Sequence, residues 1–106
     1  MSILNIPARR DAVIHRLKCW PEFFRNPQKN FEIRFNDRDY QVDDFIHLQE
    51  YDPRSSTYTG YEQYLLITYI LNRRETPGLA EGFVLLGTAI IYKSALNRVP
   101  VQEPVA

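Results

Sequence analysis

Cysteine is nearly absent from these 106 residues: Cys19 is the only one. A disulfide framework within the chain and a Cys-rich zinc site are therefore excluded, and the reading that follows is a protein of the reducing cytoplasm. No long hydrophobic run exists. The most apolar stretch, Tyr64 to Leu71, is far too short to cross a bilayer, and Met1 to Ala12 carries Arg9, Arg10 and Asp11 without the apolar centre of a signal peptide. No membrane association is expected. Net charge is missing too: 13 basic residues balance 13 acidic ones. That balance argues against indiscriminate adhesion to nucleic acid, which a strongly basic surface would give. There is no Gly-rich phosphate loop, no Gly-x-Ser-x-Gly elbow, no His/carboxylate metal spacing, no internal repeat and no low-complexity tract. The sequence therefore calls for no metal and no cofactor.

Aromatic residues are abundant, with six Phe, seven Tyr and one Trp. Flat rings of this kind fill a small β-rich interior, and the length suits one domain with a modest core. The charge is also unevenly spread. Residues 1–40 hold eight basic against five acidic residues, and residues 41–60 hold one against four. A basic N-terminal half can grip a few phosphates even at zero net charge.

Hydrophobic periodicity predicts a mainly β chain with short helices. Val13 to Cys19 alternates as a first strand. Pro21 fits the first position of a short helix through Phe24 and Arg25, where its missing amide costs nothing, and Asn26-Pro27 ends it. Phe31 to Phe35 forms a second strand, followed by a polar turn at Asn36 to Asp39. Phe45 to Tyr51 is a third strand with Ile46 and Leu48 inward. Asp52-Pro53-Arg54-Ser55-Ser56 to Gly60 supplies a hairpin loop that returns as Tyr61 to Leu71. The Tyr64 to Leu71 portion of that fourth strand is apolar on both faces apart from Thr68, so it belongs in the centre of the sheet. Residues 73–82 read as a loop with one helical turn near Leu79, Ala80 and Glu81. Phe83 to Tyr92 is the last strand, with a bend or bulge at Gly87. Domain limits follow: an extension over 1–12, a folded body over 13–93, and a mobile tail over 94–106, where Pro100 and Pro104 interrupt any periodicity.

The segment Lys29-Asn30-Phe31-Glu32-Ile33-Arg34 concentrates chemistry on a strand. Alternation sends Phe31, Ile33 and Phe35 to the core face and Glu32 with Arg34 to the other. Lys29, where the chain enters the strand, can reach an anion, and Arg34 offers a planar fork suited to phosphate or carboxylate. Glu32 between two cations suits accepting hydrogen bonds from the amine of a base. The plainer reading of the same pattern is a solvated face of ion pairs. His15 and Lys18 are neighbouring candidates, although a regular strand places them on opposite faces. Trp20, beside Pro21 and Phe23, reads as core in preference to a stacking platform. Arg38 lies between Asp37 and Asp39 as a turn stabiliser or a phosphate contact at a cleft lip.

The motif order His15-Arg16-Leu17-Lys18, Phe23-Phe24, Lys29 to Arg34, Asn36-Asp37-Arg38-Asp39-Tyr40, Glu50-Tyr51-Asp52-Pro53, Tyr58-Thr59-Gly60 and Gly82-Phe83-Val84-Leu85 resembles a small bacterial and phage family of unknown function with an ASCH-like, PUA-like barrel. The resemblance covers roughly residues 13–92. It implies a five- to six-stranded PUA-like β-barrel that binds RNA or a nucleotide beside a Gly-x-Lys-x-x-Glu-x-Arg motif. Lys29, Glu32 and Arg34 match that motif, while Pro27 replaces its glycine and Asp43-Asp44 stands for a usual Gly-Asp.

The expected ligand site is therefore Lys29, Glu32 and Arg34, with His15, Lys18 and Arg38 around it, and the expected partner is RNA or a nucleotide. Two alternatives are carried. Some ASCH-like proteins are amidohydrolases of acetylcytidine that use a lysine, matched by Lys29, with a threonine where this chain has Glu32; nothing in the sequence places Thr68 or Thr88 near Lys29. A protein-interaction module of a mobile element, with a protein partner, is the third reading. The sequence leaves the oligomeric state open.

Overall fold

In the computed structural model, residues 11–72 and 74–102 are described. Most of the expected N-terminal extension and residues 103–106 lie outside them. The first strand, β1, runs over Ile14–Cys19 and buries His15, Leu17 and Cys19 while Arg16 and Lys18 face outward. The helix α1 (Pro21–Phe24) follows directly, with Pro21 in its first turn and Phe24 buried. Four more strands complete the body: β2 (Phe31–Phe35), β3 (Phe45–Asp52), β4 (Thr57–Asn72) and β5 (Phe83–Ile90). The class is mainly β with little helix. The loop at 74–82 forms turns, without the helical turn expected around Leu79.

One sheet holds all five strands in the order β1-β3-β4-β5-β2. β1 and β3 are parallel; every other neighbouring pair is antiparallel. As expected, β4 is central. The sheet curls into a half-barrel around Ile46, Leu48, Ile67 and Leu86, all essentially without solvent exposure, with Leu17, Leu65, Val84, Phe24 and Tyr40 packed against them. Burial of these side chains is the main favourable term of folding.

The bend expected at Gly87 takes the form of a bulge in the partner strand. The register between β4 and β5 shifts between Ile67 and Tyr69, leaving Thr68 out of the pairing and Gly87 opposite Tyr69. The extra residue switches the inward set from Leu65 and Ile67 to Ile70, so both halves of a 16-residue strand face one core. A Cβ on Gly87 would lie 3.3 Å from the Cβ of Tyr69, which is why the smallest residue sits there.

Before β3 the chain turns through Asp43, whose φ of 75° is the left-handed conformation a glycine would adopt most easily. Asp44 then anchors the turn. It is fully buried and accepts hydrogen bonds from the Val13 and Gln41 amides and from His15 Nε2, at 3.3, 3.0 and 2.8 Å.

Two corrections concern the edges. The segment 94–102, expected as a mobile tail, is attached to β1. Leu96 is buried in a 3-10 turn over Lys93–Leu96, and Ile14 exchanges backbone hydrogen bonds with Pro100 and Gln102. An edge strand offers unpaired backbone groups, and this segment satisfies those of Ile14. Second, β2 is turned over relative to expectation. Phe31, Ile33 and Phe35 face outward, with Ile33 51% exposed, while Glu32 is buried at 4% and Arg34 lies beside it. The pairing places Glu32 opposite Leu86 and Arg34 opposite Val84, both core residues. The charged face can turn inward because its members neutralise one another, whereas the outward Phe35 ring still packs edge-on against Phe83 and covers Gly82.

Candidate functional site

The curl of the sheet brings its two edges, β1 and β2, towards each other without strand pairing. A cleft of about 550 Å³ opens there, roofed by α1 and the loop after it. Lys29 reaches it because Asn26 folds the chain back: its carbonyl accepts the Lys29 amide at 3.2 Å and its side chain accepts the Gln28 amide at 3.0 Å. Pro27 sits within this turn. Its fixed φ suits a turn position that has no need of an amide donor.

Glu32 forms the floor. Its Oε1 accepts Arg34 Nη2 at 2.8 Å and its Oε2 accepts Lys29 Nζ. Arg34 Nη2 also donates to the Lys18 carbonyl at 2.9 Å, tying β2 to β1. Lys29 Nζ lies 3.7 Å from Cys19 Sγ, and burial, followed by the charge of Glu32, pushes the Cys19 thiol above its usual range. Cys19 is thus a packed thiol, without the activation a nucleophile needs. The cleft walls are apolar: Trp20, Phe23, Phe31 and Ile33 line it, and each is between 40% and 53% exposed. A polar floor under apolar, partly aromatic walls is the usual make-up of a small-molecule site.

Lys29, Glu32 and Arg34 therefore converge, as the sequence predicts. Of the other expected members, Lys18 lines the cleft at its rim, while His15 and Arg38 lie outside it. His15 is fully buried on the inner face of β1, bonded to Asp44 and with its ring 4.7 Å from Tyr40; it holds the core together at a distance from the cleft. Lys18 points outward at the cleft rim, its ammonium 4.4 Å from the centre of the Tyr51 ring. Arg38 Nη1 donates to the Arg16 carbonyl at 2.7 Å and so clips the seam further along. Trp20, expected in the core, stands on the cleft wall, because it precedes the first turn of α1 and Phe24 takes the inward position. Phe31 and Ile33, likewise expected in the core, become cleft wall through the reversal of the strand. The one sequence signal for this role was an aromatic at each end of the loop that carries Lys29.

Sequence reasoning also missed two neighbours. Thr88 lines a small polar hollow of about 20 Å³ together with Lys29, Glu32, Asn26 and Gln63, because β5 turns Thr88 inward beside β2. At the mouth of the half-barrel Glu50, with no exposed side chain, accepts Arg25 Nε and Nη2 at 2.7 and 2.8 Å and Thr59 Oγ1 at 2.6 Å. The hydrogen bonds from Arg25, foremost, hold its carboxyl below the ordinary range against the opposing effect of burial. Among the described residues no group of three or more His, Cys, Asp or Glu side chains is placed to hold a metal ion, and no helix is long and apolar enough to cross a membrane.

Residues 14–88 match the model of a family described as a domain of unknown function, DUF3850. The match spans well over half of the chain, which belongs to that family. No curated protein matches it.

Proposed function

We propose that this member of the DUF3850 family binds a nucleobase, as part of RNA or of a nucleotide, in the cleft between β1, α1 and β2, with the sheet taken as an ASCH-like, PUA-like half-barrel. The observation that carries the reading is the pairing of a half-exposed tryptophan with a buried polar floor. Trp20 and Phe31 offer faces on which a base stacks, and stacking is worth about 1–3 kcal/mol per base. Glu32 accepts from the exocyclic amine of a base. Arg34 makes both its bonds through Nη2, so Nε and Nη1 each remain as a separate donor for a base carbonyl or a phosphate.

Trp20 is the only tryptophan in the chain, which makes its fluorescence a direct report on the cleft. Titration with AMP, CMP, GMP, UMP and short single-stranded RNA should give saturable quenching for at least one. Arg34→Gln, followed by the same quenching, and Trp20→Ala, followed by calorimetry because it removes the fluorophore, should each weaken that ligand by roughly tenfold, in line with the loss of one charged hydrogen bond or one stacked base. Absence of saturable quenching by any of them sinks the proposal.

Hydrolysis of an amide on a modified nucleoside is a second reading, favoured by Thr88, which shares a polar hollow with Lys29. Against it, Lys29 is engaged by Glu32 and is poorly placed to take a proton from a hydroxyl. Release of acetate from acetylcytidine by the native protein, abolished in Thr88→Ala, would establish it; inertness of the folded protein would dismiss it.

A further inference from the structure

A second depression of about 320 Å³ lies on the outer face of β1 and shares Lys18 with the cleft. Its lining includes Arg16, Lys18, Arg38, Gln49, Tyr58 and Gln102. Three of these are cations, two are amides and none is acidic. Arg16 and Lys18 are alternate residues of one strand, so they stand side by side on the same face about 7 Å apart. Arg38 is fixed beside them through the Arg16 carbonyl, and Gln102 Nε2 donates to the Arg38 carbonyl at 2.8 Å. Tyr58 packs edge-on against Tyr51, over which Lys18 lies.

Two acids near this row, Asp37 and Glu62, compensate it little. Asp37 reaches Arg38 Nε only at 4.0 Å and is largely exposed. Glu62, on β4, is engaged by Tyr64 and His47. Arg16 is exposed and makes no ion pair among the described residues. In a chain of zero net charge such a row is a local field, and its chemistry is that of a phosphate track: repeated anions met by guanidinium and ammonium groups beside an aromatic ring.

We propose that the groove over β1 holds the phosphate backbone of a single-stranded RNA whose base enters the cleft past Lys18, so that the ligand is a strand and a free nucleotide fills only part of the site. The placement of the base rests on the cleft reading above. Cations on an edge strand also deter unwanted strand pairing, and the two roles separate by charge reversal. Arg16→Glu keeps a charged edge but repels phosphate, whereas Arg16→Lys keeps both.

The test uses the full chain, a fluorescein-labelled RNA of mixed sequence about ten nucleotides long, and the four mononucleotides. RNA should bind more tightly than any mononucleotide, and three phosphate contacts should weaken it roughly 20-fold between about 50 and about 200 mM salt. Arg16→Glu should weaken RNA binding at least severalfold and make it less salt-dependent, while mononucleotide quenching of Trp20 is unchanged; Arg16→Lys should restore RNA binding. RNA binding no tighter than that of a mononucleotide, or unaffected by Arg16→Glu, overturns the groove and leaves the cleft reading standing. RNA binding that Arg16→Glu weakens but Trp20→Ala leaves unchanged overturns the cleft reading and keeps the groove as a strand site.

Discussion

Arg34 Nη2, on β2, donates to the backbone carbonyl of Lys18, on β1, at 2.9 Å across the open seam of the half-barrel. The same nitrogen holds Glu32 at 2.8 Å, so one guanidinium both closes the sheet and sets the floor of the cleft. Arg34→Ala should lower stability by about 1–3 kcal/mol, since it strands a buried carboxylate oxygen and a strand carbonyl. Arg34→Lys keeps a charge near Glu32 but lacks the fork, so it should retain only part of that stability. Urea denaturation gives the first quantity. Amide exchange at Leu17 to Cys19 gives a second, and unchanged protection there in Arg34→Ala would contradict a role in closing the seam.

Reversal of β2 makes an unusual ranking of substitutions. Glu32→Ala leaves Lys29 and Arg34 facing each other in a mostly buried site and should cost about 3–5 kcal/mol. Leu86→Ala, opposite it in the core, should cost about 2–5 kcal/mol. Ile33→Ser, on the half-exposed outer face, should cost no more than about 1 kcal/mol. Denaturant midpoints for the three variants decide the orientation; a large loss for Ile33→Ser with little for Glu32→Ala would place the apolar face inside after all.

Glu50 should contribute to acid sensitivity. Its folded pKa is depressed, chiefly by Arg25, so its contribution to stability is complete above the unfolded glutamate value of about 4.5 and is lost as the pH falls through the lower folded value. In Arg25→Met the buried carboxyl has lost that partner. The stability gap between the native chain and this variant should therefore be widest near neutral pH and narrow on acidification. Urea midpoints measured from neutral pH down to about 3 would show it, and a gap independent of pH would contradict the assignment.

Cys19 should be slow to react. With its thiol pushed up by burial and by Glu32, the thiolate is scarce at mildly alkaline pH, and the side chain is only 6% exposed. Iodoacetamide labelling followed by mass spectrometry should be far slower in the native chain than in urea. Equal rates would show that the site is open or that Cys19 is activated.

Strand existence was legible because alternation is local: Leu17 and Cys19 inward with Arg16 and Lys18 outward in β1, and Ile46 with Leu48 inward in β3, follow from single-strand patterns. The start of α1 at Pro21 was equally local. The site was legible in part. Lys29, Glu32 and Arg34 could be named together from their spacing, but Trp20 and Thr88 could not, since Thr88 approaches Lys29 only through the pairing of β5 with β2 and Trp20 only through the curl of the sheet. His15 was misplaced because its partner, Asp44, is 29 residues away in sequence.

By itself the sequence determined that residues 31–35 have two faces, one of Phe31, Ile33 and Phe35 and one of Glu32 and Arg34. It did not determine which face is inside. Period-2 geometry is blind to that sign, and hydrophobicity alone assigns it to the aromatic face. Tertiary structure decided otherwise because Lys29 and Arg34 compensate Glu32 where it is buried, and because the Arg34 fork has a carbonyl to meet only where the curl brings β1 alongside. Neutralisation of a charged face depends on partners from outside the strand, so it becomes visible only when the edges of the sheet have been brought together.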